Sequence, residues 1–144
     1  MLEVKNSNKV PLEKIIDSSV RGNKPYIDAL ATVDAKNMYI LLWNYHDDDN
    51  KKEDALIKIK LQQLRATNVT VSCFLVDEAH SNSYTVWKKM GSPQEVSEEK
   101  FIELKKAGQL QKNGEDAKLK VSGGSINYQL NLESQGVALL KISW

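Results

Sequence analysis

Histidines, a cysteine and clustered carboxylates are the side chains here that could bind a metal or move a proton. His46 heads the run His46-Asp47-Asp48-Asp49, and an imidazole with carboxylates suits a divalent cation. Neighbouring side chains on an extended segment point to opposite faces, and the run lacks calcium-loop spacing. A solvated turn leaving a strand accounts for it better. His80 stands among Asp77, Ser81 and Ser83, the residue types of a nucleophilic triad. Adjacent residues cannot reach triad geometry unaided, and no Gly-x-Ser-x-Gly elbow occurs in the chain. A hydrogen-bonded loop histidine is expected instead. Cys73 is the only cysteine and lies in a Val-Ser-Cys-Phe-Leu run. It reads as a small buried hydrophobe, with no disulfide or Cys-based metal cluster. Nineteen acidic residues could always supply a glycosidase-like pair, but none sits in an Asn-Glu-Pro or similar setting. These residues predict no active site, no metal site and no cofactor.

Binding is a different matter. Tyr84, Trp87 and Met90 fall at intervals of three, so a short helix would gather them on one face. Exposed aromatics with methionine anchor interfaces. The same residues could instead plug the loop against its own domain, or Tyr84 or Trp87 could stack on a sugar. His80 and Asn82, at the head of the same stretch, complete the set of candidate interface or sugar-contact residues.

The elements that must carry these residues show period two. Ile57, Ile59 and Leu61 alternate with Lys58 and Lys60, which puts one face on a core and the other in water. The rhythm recurs in Val69, Val71, Cys73 and Leu75, in Ile126 to Leu132, and in Ala138 to Trp144. Met38 to Tyr45 is more continuously apolar and reads as a central strand covered on both sides. Ile27 to Val33 is its hairpin partner through Asp34-Ala35-Lys36-Asn37. Gly123-Gly124 and Ser134-Gln135-Gly136 mark further turns. With short strands near Leu2 to Lys5 and at Leu119, the pattern predicts an all-β, antiparallel β-sandwich of about eight strands.

One insertion, residues 77–116, interrupts it with a single short helix near 97–107. Phe101, Leu104 and Ala107 recur at helical spacing there; Ser97 can cap it, Glu98 and Glu99 suit its positive end, and Gly108 can stop it. Connections that long usually make contact with something.

A chain of 144 residues fits one domain, spanning 1–144, and falls short of the roughly 200 residues that a (β/α)₈ barrel needs. A formal charge of +1 without a basic stripe excludes a nucleic-acid footprint. No apolar run approaches a membrane span. The first residues show no basic region followed by an apolar stretch, so no signal peptide is expected.

The block His80-Ser81-Asn82-Ser83-Tyr84, then Trp87, then Met90-Gly91-Ser92-Pro93 resembles the C-terminal region of family 39 β-xylosidases. Leu42 to Asp49 is similar to the strand and loop preceding that block. Val20-Arg21-Gly22 with Ile27 to Ala31 is similar to the start of the region, and Ile142-Ser143-Trp144 to its end. The resemblance implies a parent enzyme with an N-terminal (β/α)₈ barrel, two catalytic glutamates and retaining hydrolysis of β-1,4-xylosides. The barrel is absent here, so no catalytic residue carries over. The expected role is a non-catalytic β-sandwich that packs on and supports that barrel, with self-association through the 80–94 loop as a second use of the same surface. The alternative is an independent carbohydrate-binding module built on Tyr84, Trp87 or Trp43. An aromatic strip on an exposed sheet face favours the module; an apolar patch centred on Tyr84 to Met90 favours docking.

Overall fold

The computed structural model describes residues 25–46 and 53–144. The expected strand near Leu2 to Lys5 lies outside them. Eight strands are described: β1 (Tyr26–Val33), β2 (Asn37–Tyr45), β3 (Ala55–Leu61), β4 (Asn68–Val76), β5 (Gln111–Lys112), β6 (Ala117–Lys120), β7 (Ile126–Leu132) and β8 (Gly136–Ser143). All the pairings are antiparallel. One sheet runs β1-β2-β8-β4, with β5 and β6 both on the far edge of β4; β3 and β7 form the second sheet. The fold is the all-β sandwich that the alternation predicts.

The alternation also explains the core. Ile57, Ile59 and Leu61 of β3 and Ile126, Leu130 and Leu132 of β7 are buried against the inward residues of the larger sheet. Those are Ile40 and Leu42, Val69 to Leu75 in alternation, and Ala138, Leu140 and Ile142. Asn44 extends this inward set by one polar residue. Its Nδ2 donates to the carbonyls of Glu53 (2.9 Å), Leu132 (3.1 Å) and Glu133 (3.1 Å), tying the two sheets together at one end. Gly136 completes that end: a Cβ there would lie 2.8 Å from the Glu133 carbonyl oxygen.

The turns follow side-chain chemistry. Asp34 accepts the amides of Lys36 and Asn37 through Oδ1, at 2.8 and 2.7 Å, and the Lys36 amide leads in holding its carboxyl below the usual carboxylate range. Gly123 and Gly124 both adopt positive φ between Ser122 and Ser125, a conformation that costs glycine little.

Two expectations need correction. The insertion carries two helices where one was expected: α1 (Ser83–Lys89) and α2 (Glu98–Ala107). The second has the predicted caps at Ser97 and Gly108. The first is seven residues long with no acidic first turn, and its start signal is Asn82 alone. Nor is β2 covered on both sides. Ile40 and Leu42 are buried, while Leu41 and Tyr45 are exposed on the outer face.

Candidate functional site

The insertion is held to the sandwich by the residues that open it. Asp77 is 6% exposed, and its Oδ1 accepts the backbone amides of Ala79 (2.8 Å) and His80 (2.7 Å). The His80 ring closes on the same carboxylate, with Nδ1 2.9 Å from Oδ1. Ser81 adopts positive φ; its hydroxyl donates to the Leu75 carbonyl and accepts the Gln111 amide, at 2.6 and 2.7 Å. Asn82 donates to the Asp77 carbonyl at 2.8 Å and caps α1 by accepting the Thr85 amide at 3.1 Å. His80, Ser81 and Asn82 thus latch the end of β4 to the start of α1 and to β5. The histidine lies in a hydrogen-bonded loop, its ring held by the Asp77 carboxylate.

The latch sets the direction of α1. Tyr84 is 56% exposed and stacks on Trp87, with ring centroids 5.6 Å apart. The Lys88 ammonium sits 4.7 Å from the Tyr84 ring centroid. Trp87 is partly buried, and its indole N–H donates to the Pro93 carbonyl at 2.9 Å. Met90 is half-buried at the C-cap. Behind α1, α2 leaves Phe101 and Ile102 exposed and half-buries Leu104.

The register brings a second surface beside this one. On the outer face of the larger sheet, Leu30, Leu41, Leu139 and Phe74 form one continuous cross-strand row over β1, β2, β8 and β4. The next row on that face is Asp28, Trp43, Val137 and Val76. Leu30 is 59% exposed, and Leu41, Tyr45 and Val76 are exposed too. The opposite sheet shows water Lys58, Lys60, Asn127, Gln129 and Asn131, with Leu56 the exception. Contiguous exposed apolar surface of this kind marks an interaction site, whereas scattered apolar residues do not. The outer face therefore joins the 80–94 residues as a candidate contact surface. Its sequence signal was β2 itself, apolar on both faces where half-exposed strands alternate.

Two cavities lie at one end of the larger sheet, and only the first reaches the insertion. One, of about 430 Å³, is lined by Val76, Asn82, Tyr84, Lys88 and Gln135, among others. The other, of about 350 Å³, is lined by Tyr26, Trp43, Tyr45, Gln135 and Val137, among others. Tyr26 and Trp43 face each other with centroids 6.4 Å apart.

Among the described residues, no group of three His, Cys, Asp or Glu side chains is placed to hold a metal ion. His46 is not in a solvated turn: it is 3% exposed, and the Gln135 side-chain amide donates to its carbonyl. Asp47, Asp48 and Asp49 lie outside the described residues. Burial pushes the Cys73 thiol up, away from the thiolate that nucleophilic chemistry needs. Asp116 is lowered chiefly by its bond from Lys112, then by Ser72; that exposed cluster joins β4 to the return of the insertion. No helix among the described residues is long and apolar enough to cross a membrane.

Comparison with known proteins gives two matches in kind. Residues 8–123 match the model of glycosyl hydrolases family 39. Among solved structures, the fold is similar to the GH39 enzyme from Xanthomonas axonopodis pv. citri, with a TM-score of 0.69 at 16% identity over 80% of this chain and 25% of that one. It is similar to a monomeric β-xylosidase from Caulobacter crescentus CB15, with a TM-score of 0.68 at 20% identity over 80% of this chain and 26% of that one. It is also similar to a bacterial orthologue of human α-L-iduronidase, with a TM-score of 0.65 at 17% identity over 81% and 22%. The chain thus spans about a quarter of the length of the structures it matches. No curated protein matches in sequence.

Proposed function

The chain belongs to glycosyl hydrolases family 39, and from that premise we propose that it is a non-catalytic β-sandwich that docks on a (β/α)₈ catalytic barrel. The parent reaction in this reading is retaining hydrolysis of β-xylosides, in the breakdown of xylan and xylo-oligosaccharides. One observation carries the docking: the larger sheet turns outward the continuous row Leu30, Leu41, Leu139 and Phe74, with Leu30 and Leu41 exposed and Leu139 and Phe74 half-buried, whereas the smaller sheet shows mainly Lys, Asn and Gln. Burying an exposed leucine is worth roughly 1.5–3 kcal/mol, so a polypeptide about four times longer has reason to cover that row. That the chain spans about a quarter of its structural neighbours' length favours a catalytic barrel as the occupant. Tyr84, Trp87 and Met90 extend the contact from the sheet onto the insertion.

The test is association in trans. Mixed with the purified barrel of its parent polypeptide, the chain is expected to co-migrate in size-exclusion chromatography. Leu41→Lys together with Leu139→Lys should abolish the complex, since both side chains point away from the core. Trp87→Ala should weaken it by about 2 kcal/mol, and should likewise weaken any self-association through the 80–94 loop. No complex, or one indifferent to all three substitutions, would overturn the reading.

The non-catalytic half has its own check. The purified chain should release no sugar from aryl xylosides, because a retaining site needs two carboxyls about 5 Å apart around the scissile bond. Turnover that follows the chain through purification, and vanishes when one of its own carboxylates is replaced, would show otherwise.

A further inference from the structure

Along α2, successive side chains are about 100° apart around the helix axis. Leu104 and Ala107 are its half-buried positions, and α1 is the element it packs against. The opposite face centres on Ile102, which is 60% exposed. Glu98, Glu99, Lys105 and Lys106 are exposed as well, and all four fall within about 60° of Ile102 around the axis. Phe101, also exposed, stands at the edge of that face.

The signs are ordered along it. Both acids lie one turn before Ile102 and both lysines one turn after. No lysine or arginine stands three or four places from either acid, so the helix offers them no partner of its own. None of the four enters an ion pair among the described residues. The helix dipole accounts for acids first and bases last. It does not account for their gathering around one exposed isoleucine. Two antiparallel copies of the helix, related by a twofold axis beside Ile102, satisfy every one of these groups. Ile102 then meets Ile102, and Phe101 lies beside its counterpart along the seam. Glu98 and Glu99 of each copy face Lys105 and Lys106 of the other. The face is self-complementary, as a twofold contact requires. We propose that the chain forms a homodimer by packing α2 antiparallel on α2 of a second copy. A helix of ten residues makes less than a standard interface, so the dimer is weak and concentration-dependent. It uses no residue of the outer sheet face and stands independently of the docking reading.

Sedimentation equilibrium of the 144-residue chain provides the test. The average mass should climb from monomer towards dimer as concentration rises, and fall back in high salt, which screens the charge pairs. Ile102→Glu sets two like charges across the axis and should weaken dimerisation at least about tenfold. Circular dichroism should stay native in this variant, since the side chain is exposed. Charge reversal is the sharper readout. Glu98→Lys with Glu99→Lys, and Lys105→Glu with Lys106→Glu, should each leave the chain monomeric. Mixing those two double variants should restore a dimer containing one of each. A chain that stays monomeric up to about 1 mM, a dimer indifferent to Ile102→Glu, or no recovery on mixing would overturn the proposal. So would loss of the dimer in Tyr84→Ala, which would assign self-association to the 80–94 loop. None of these outcomes touches the docking reading, which stands or falls on association with the barrel.

Discussion

Leu140→Ala is expected to lower the unfolding free energy of the chain by about 2–5 kcal/mol, the largest effect of any single truncation considered. Leu140 is 1% exposed and lies on β8 between Ile40 of β2 and Cys73 of β4. It therefore occupies the middle of the larger sheet's inner face, under the β3–β7 pair. Removing its side chain takes away transfer free energy and leaves a void that packed strands on both sides cannot readily fill. Urea denaturation reads the result directly: the midpoint should fall sharply with little change in slope. A loss below about 1 kcal/mol would mean that the two sheets do not close on Leu140. Leu139→Ala is the matched comparison. Its side chain points to the outer face, so the isolated chain should lose far less.

The second large effect is local. Asp77→Ala removes the acceptor of two backbone amides and of the His80 ring. A fully buried donor left without a partner costs about 1–3 kcal/mol, and these part-buried amides lose less each. The insertion can relieve that cost by opening, because neither of its helices contains a buried residue. The expected signature is therefore fast hydrogen exchange at Ala79 and His80, with α1 loosened and the sandwich midpoint lowered less than by Leu140→Ala. Asp77→Asn, which retains an oxygen acceptor of the same shape, should restore part of the protection. Unchanged exchange in Asp77→Ala would mean that other groups hold the insertion.

Much of the sandwich was legible because period-two burial acts residue by residue. Ile57-Lys58-Ile59-Lys60-Leu61 cannot be placed with its lysines inward, and β4, β7 and β8 obey the same constraint. The caps of α2 were legible for a similar reason, since Ser97 and Gly108 act on their immediate neighbours. The contact surface was only half legible. The spacing of Tyr84 and Trp87 foretold their shared face, but the Leu30–Leu41–Leu139–Phe74 row depends on strand order. β2 and β8 are far apart in the sequence and adjacent in the sheet, and no local pattern encodes that pairing. The apolar outer face of β2 was visible as a run, but the run alone could not say whether sheet or solvent lay beyond it. His80 and Asn82 were visible as a motif, whereas their bonds to Asp77 emerge only once the backbone turns at Ser81.

The hydroxyl of Ser81, touching both Leu75 and Gln111, has a consequence for how such a domain diversifies. The excursion leaves and re-enters the sheet along one strand, so its two ends stay pinned together whatever lies between them. For a segment closed at its base, each doubling of length costs only about 0.6 kcal/mol in closure entropy. Helices can then be added, lost or resurfaced there without disturbing the strands beneath. A lineage could retune what the domain touches by editing that one segment, while the period-two core passes unchanged from one version to the next.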